Sequence, residues 1–371
     1  MSTLVLHIGS PKAGSTAIQA SLLQARWRQG WRGLPPNPYG KPYPSGFIAG
    51  LYLQSGSLPR FLAQRQQEHP ARFERDLERY RHQLARCLQP RWRRAPQALV
   101  LSCEYLWRLP TMAVARLRQD FEALGCERFL VLAYVREPGS LYGSALQQWS
   151  RLSTDMRRFD PNRWRYELRR RLETWASVFG ESLVVRPFER SQLQAGCVVR
   201  DLQQQVERTL PGLPPWPSLA VVPDVNRSAT SEELVAMQAL MVEMPEGAKP
   251  ASSRRARTLI SSWDELSSQV PVGSGSPIRV RAEVLEQVRA RHRDDLLWLA
   301  EHHGVSFHFG LTSSSARPEL FSQAAQAPTA VLRLTDLIEP PGDQALLQRL
   351  TRFLSEQSAR EGGDQNARCL G

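Results

Sequence analysis

The stretch "LVLHIGSPKAGSTAIQASL", residues 4–22, constrains the fold more than any other. Residues 3–8 form a near-continuous apolar run that stops at Gly9, the pattern of a strand buried on both faces of a parallel sheet. Ile18, Leu22, Leu23 and Trp27 then recur at helical spacing, which predicts a helix over 15–29. A buried strand, a glycine-bounded loop and a helix in immediate succession form half of a strand–helix–strand crossover. Such a crossover requires a sheet whose faces are covered by helices.

The same alternation continues. "QALVLSCEYL" (97–106) reads as a second buried strand running into Glu104, followed by a helix near 111–124. "RFLVLAYVREP" (128–138) reads as a third strand running into Arg136, and "GSLYGSALQQWSRL" opens the next helix. A helix over 163–179 and a fourth strand, "SLVVRPFE" (182–189), follow. Phe73, Leu77, Tyr80, Leu84 and Leu88 make one apolar stripe, predicting a helix over 71–89. The expected class is α/β: a three-layer fold with a mostly parallel central sheet and helices on both faces. Ligands of such sheets bind beyond the carboxyl ends of the strands, where Lys12, Glu104, Arg136 and Phe188 all fall.

Residues 30–60, rich in proline, glycine and aromatics, read as a long loop within an insertion of about 30–95. An amphipathic helix is expected over 281–302. The expected organisation is one domain over 1–310 and a partly disordered C-terminal appendage over 311–371, containing a short amphipathic stretch at 345–354. There is no apolar stretch of about 18 residues that would suggest a membrane span. No basic, apolar leader is evident, and no cysteines stand in C-x-x-C spacing, so a reduced cytoplasmic protein without a metal site is expected.

The formal net charge of +12 points to an anionic partner or to a bias toward arginine. Of 48 basic residues only Lys12, Lys41 and Lys249 are lysines. Lysine is a compact point charge and arginine a wide planar fork, so a tight loop near a phosphate favours lysine. The nucleotide P-loop pattern is G-x-x-x-x-G-K-[ST]. Gly9 and Gly14 have its separation, but Ser15 stands where the lysine belongs and Lys12 lies inside the loop.

Pro11-Lys12-Ala13-Gly14-Ser15-Thr16 resembles the first loop, P-K-[ST]-G-[ST]-T, of the sulfotransferases that use 3′-phosphoadenosine 5′-phosphosulfate (PAPS), which have a P-loop-like fold. Their second signature is a strand ending in arginine with a serine eight residues on, matched here by Arg136 and Ser144. "HIGSPKAGSTAIQ" is similar to the start of bacterial carbohydrate-type members, and the resemblance covers roughly residues 1–245. Ala13 departs from the usual serine or threonine.

The resemblance implies a site for the 5′-phosphate of PAPS at Gly9, Pro11, Lys12, Gly14, Ser15 and Thr16, on the N-terminus of a helix. It implies that Lys12 stabilises charge on the bridging oxygen, that Arg136 and Ser144 hold the 3′-phosphate, and that Phe188 packs on adenine. Phe188 reads equally as a core side chain. Glu104 matches the position and type of the family's base, and reads alternatively as an ion-pair partner of a nearby arginine. His7 reads as a core histidine bonded to backbone rather than as the base. Ser228 or Thr230, ahead of acidic residues, is a candidate helix cap. Trp31, Tyr39 and Tyr43 are candidates to stack on a sugar or to form a small loop core.

The expected function is sulfuryl transfer from PAPS to a hydroxyl of a glycan or other small hydroxylated acceptor, without a metal, nucleic acid or membrane span. The rivals are a P-loop kinase or NTPase, against which Ser15 counts, and a non-catalytic polyanion-binding protein.

Overall fold

The computed structural model describes residues 2–25, 27, 30–33, 45–88, 97–216, 228–242, 263, 265–268, 270–271, 273–308 and 332–368. Two compact units make up the chain. Unit 1 contains residues 1–137, 167–225 and 294–310, and unit 2 contains residues 138–166, 226–293 and 311–371.

Unit 1 holds a five-stranded, wholly parallel sheet with the order β2-β3-β1-β4-β5. The strands are β1 (Ser2–His7), β2 (Trp31–Gly33), β3 (Gln97–Ser102), β4 (Cys126–Val135) and β5 (Leu183–Pro187). β1 lies at the centre, and the strands that follow it are added first on one side and then on the other. This reversal opens a crevice at the carboxyl ends of the strands. Helices α1 (Ser15–Gln24) and α8 (Val198–Thr209) cover one face. There Ile18, Val198, Leu202 and Val206 pack with Val5, Val100, Leu130 and Leu132 of the sheet. Helices α5 (Thr111–Ala123) and α7 (Leu168–Phe179) pack on each other and on β4. Alternate strand residues serve the two faces, so Leu4 and Leu6 are as completely buried as Val5.

Between β2 and β3 lie α2 (Ser45–Gly50), α3 (Arg60–Glu68) and α4 (Pro70–Leu88). The expected long loop over 30–60 therefore contains an edge strand and a short helix. Trp31 begins that strand and is buried edge-on against Trp216, with its indole N–H donated to the Pro214 carbonyl at 2.9 Å. It is a core residue and offers no face to a sugar. Tyr39 and Tyr43 lie outside the described residues.

Unit 2 is helical: α6 (Pro138–Ser150), α9 (Ser231–Val242), α10 (Ala282–Arg291), α12 (Leu334–Leu337) and α13 (Gln344–Arg368). Between α10 and α12 the chain passes through α11 (Arg293–His303), which belongs to unit 1 from Asp294 on. Thr230 forms the expected cap of α9: its hydroxyl accepts the Glu233 N–H at 3.2 Å, and the Glu233 carboxylate accepts the Thr230 N–H at 2.6 Å. The buried Glu232 carboxylate accepts backbone N–H groups from Ser276 and Asp343, tying three segments together. Leu334, Leu337, Leu346, Leu350 and Leu354 are core side chains of this unit. The C-terminal stretch read as an appendage thus supplies core from 334 to 354, while residues 309–331 lie outside the described residues.

Candidate functional site

Register brings the strand ends together. His7 pairs with Ser102 on one side and Leu132 on the other, and Val135 pairs with Pro187. β1 keeps hydrogen-bonding to β4 beyond its last residue, through Ile8 N–H to the Leu132 carbonyl (2.9 Å) and Ser10 N–H to the Tyr134 carbonyl (3.0 Å). The loop Gly9–Gly14 is therefore launched from a rigid edge. It turns into α1 through two left-handed residues, Lys12 (φ 60°) and Gly14 (φ 82°). A Cβ at Gly14 would come within 2.7 Å of the Phe188 ring, so the loop lies directly on that ring.

The N-terminus of α1 has neither a side-chain cap nor an acidic residue in its first turn. Its first N–H groups and partial positive charge are left facing the crevice. Ser15, the first helical residue, is buried, Thr16 is exposed and Pro11 is half-buried. Ala13 is buried within the apolar cluster beneath the loop. A hydroxyl at position 13 would enter the core, a physical reason for alanine there.

Glu104 opens a short turn of 3-10 helix (Glu104–Arg108) immediately after β3. Burial pushes its carboxyl above the ordinary range, while the Lys12 ammonium and the Ser15 hydroxyl pull it back. Ser15 Oγ acts on Glu104 across a gap, since it has no hydrogen-bond partner of regular geometry among the described residues. A carboxylate held basic by burial and a cation close enough to act on it thus share the mouth of the loop.

Arg136 follows β4. Its guanidinium donates to the Lys12 carbonyl at 3.0 Å and stands 5.9 Å over the Phe188 ring. Phe188, half-buried, packs against the core cluster of α1 and α8. One strand back, Arg186 forms a two-pronged pair with the buried Asp201 (2.9 and 3.2 Å), which also accepts the Tyr134 hydroxyl at 2.8 Å. This network fixes β5 and α8 beneath Phe188.

Unit 1 therefore gathers Gly9, Pro11, Lys12, Gly14, Ser15, Thr16, Glu104, Arg136 and Phe188 at one edge of the sheet. Ser144 is half-buried on α6 and belongs to unit 2. Sequence reasoning missed Phe61 and Tyr105. Tyr105 is the residue after Glu104, and its ring lies 6.3 Å from that of the partly exposed Phe61. Phe61 sits in the insertion, where no periodic signal singled it out. A cavity of about 240 Å³, lined in part by Leu51, Leu58, Phe73, Leu77, Arg81 and Arg116, includes none of the sequence-predicted site residues. Among the described residues no group of histidine, cysteine and carboxylate side chains is placed to hold a metal ion, and no helix is long and apolar enough to cross a membrane.

Comparison with protein-family models, with curated proteins and with solved structures finds no match to this chain.

Proposed function

We propose that the chain is a PAPS-dependent sulfotransferase acting on a hydroxyl of a glycan or related small acceptor in the reducing cytoplasm. The observation that carries this reading is the proximity of Lys12 to a half-buried Glu104, whose carboxyl burial raises above the ordinary range, at the mouth of an uncapped helix N-terminus. The residues fit the nucleotide on two counts: Ser15 Oγ is buried without a partner of regular geometry among the described residues, and Phe188 lies directly under the loop.

When bound, PAPS supplies an activated sulfuryl group on a phosphate that departs as the 3′,5′-bisphosphate. The α1 N–H groups with Ser15 and Thr16 bind the 5′-phosphate. Lys12 meets the negative charge that grows on the bridging oxygen, a contact stronger in the transition state than in the ground state. Glu104 takes the proton of the acceptor hydroxyl, a task suited by a carboxyl raised toward neutral pH. Arg136 is proposed to hold the 3′-phosphate, the group that distinguishes PAPS from ATP. No metal ion enters this scheme. The lysine lies inside the loop rather than before Ser15, which argues against the kinase and NTPase reading.

The test is transfer of labelled sulfate from PAPS across a panel of glycans. Turnover by the wild type and its loss in Lys12→Ala support the reading. Tight bisphosphate binding with no transfer to any acceptor favours the polyanion-binding alternative.

A further inference from the structure

β1 ends on a histidine that the scheme above leaves idle. The His7 ring is fully buried, and burial drives its pKa down to about 3, so the imidazole is neutral. Nδ1 lies 2.8 Å from the hydroxyl of Ser102, its register partner on β3. Nε2 is buried with no hydrogen-bond partner among the described residues, and Ser15 Oγ is in the same condition. Both atoms border Gly9: a Cβ there would stand 2.7 Å from His7 Nε2 and 2.9 Å from Ser15 Oγ. Buried polar atoms are rarely left without partners, so two that border one glycine ahead of a helix N-terminus call for an explanation.

We infer that His7 is a positioning residue of the anion loop: oriented by Ser102, its imidazole presents Nε2–H to Ser15 when an anion binds, and so turns the Ser15 hydroxyl proton from Glu104 toward the bound anion. The inference rests on the reading of the loop as an anion site. Phosphoryl and sulfuryl oxygens only accept hydrogen bonds, so a hydroxyl that serves them must donate. A neutral imidazole has one N–H, and a serine donating to Nδ1 leaves that proton on Nε2. The chain of donors runs from the Ser102 hydroxyl to Nδ1, from Nε2–H to Ser15 Oγ, and from the Ser15 hydroxyl to the anion. Gly9 completes the device, because any side chain there would crowd both ring and hydroxyl.

Two readouts on the full chain test this. The first is the tautomer, read by ¹⁵N NMR of histidine-labelled protein with adenosine 3′,5′-bisphosphate present. Of the seven histidines, His7 is assigned by the signal lost in His7→Gln. The Nε2–H tautomer is expected, and an Nδ1–H tautomer or a charged ring overturns the inference. The second is affinity for the bisphosphate. His7→Phe, which keeps volume but has no donor, is expected to bind about tenfold more weakly, as for a lost hydrogen bond to a charged group. His7→Gln, whose amide reaches the Nε2 position, is expected to recover most of that loss. Folded Phe and Gln variants of equal affinity would reduce His7 to a space-filler. If the wild type does not bind the bisphosphate, the nucleotide reading falls, while the tautomer still decides the His7 arrangement.

Discussion

The Arg136 guanidinium donates to the backbone carbonyl of Lys12 at 3.0 Å, so the side chain leaving β4 holds the turn that displays the loop's lysine. Lys12 is in the left-handed region, with φ 60°. That conformation costs a non-glycine residue roughly 1–2 kcal/mol and persists only where its surroundings enforce it. Arg136 is therefore part of the loop's architecture, whatever else it contacts.

Arg136→Ala is expected to weaken adenosine 3′,5′-bisphosphate binding by about tenfold or more, from loss of a charged hydrogen bond alone. Arg136→Lys is expected to recover little, because an ammonium cannot span the Lys12 carbonyl and the Phe188 face as a planar fork does. Titration calorimetry of the two variants checks this. Full affinity in Arg136→Ala would make the bond incidental.

Gly14→Ala is expected to destabilise unit 1 by at least 1–2 kcal/mol in chemical denaturation, from the left-handed φ of 82°, with a further loss from the 2.7 Å approach to Phe188. Phe188→Leu in the same background should recover part of the steric loss and none of the backbone loss.

Ala13→Ser introduces the hydroxyl that the P-K-[ST]-G-[ST]-T loop pattern has at this position. Since position 13 is buried in the apolar cluster, the substitution should cost about 1–3 kcal/mol of stability and leave bisphosphate affinity unimproved. A rise in affinity would show that the side chain reaches the ligand.

Glu104 sets a pH dependence with a definite sign. Its folded pKa is raised by burial, so the ionised form is disfavoured in the folded state. The penalty is absent below the ordinary carboxylate pKa and develops as pH rises through the raised value. Glu104→Gln should therefore be more stable than wild type near pH 7, with the difference vanishing in acid. Turnover should rise with pH through an inflection above the usual carboxylate range. Lys12→Ala removes the cation that lowers this pKa, so the Glu104 titration, followed by carboxyl NMR, should move higher still. An unchanged titration would mean that the two side chains do not interact.

Much of the fold was legible because its signals are strong and local. The run before Gly9 and those ending near Glu104 and Arg136 are buried on both faces and read as nearly unbroken apolar segments, whereas β5, at the edge of the sheet, alternates buried and half-buried residues. The Thr230–Glu233 cap needed only four residues. The three-residue strand Trp31–Gly33 was not legible, since its place comes from pairing with β3 rather than from periodicity. Nor was the break in the helix expected over 281–302. There the buried His292 hydrogen-bonds the Val288 carbonyl through Nδ1 and accepts the Tyr166 N–H at Nε2, with no glycine or proline to mark the site. The loop, Glu104 and Arg136 could be read as positions after strands. That Arg136 reaches back to Lys12, and that Ala13 points into the core, depends on three-dimensional packing alone.

The most direct test is thermal unfolding of the wild-type chain with adenosine 3′,5′-bisphosphate or with ATP, each with and without magnesium. The expected result is a rise in melting temperature with the bisphosphate that needs no magnesium and a far smaller rise with ATP. Stabilisation by magnesium–ATP and indifference to the bisphosphate would contradict the sulfotransferase reading and return the loop to the kinases.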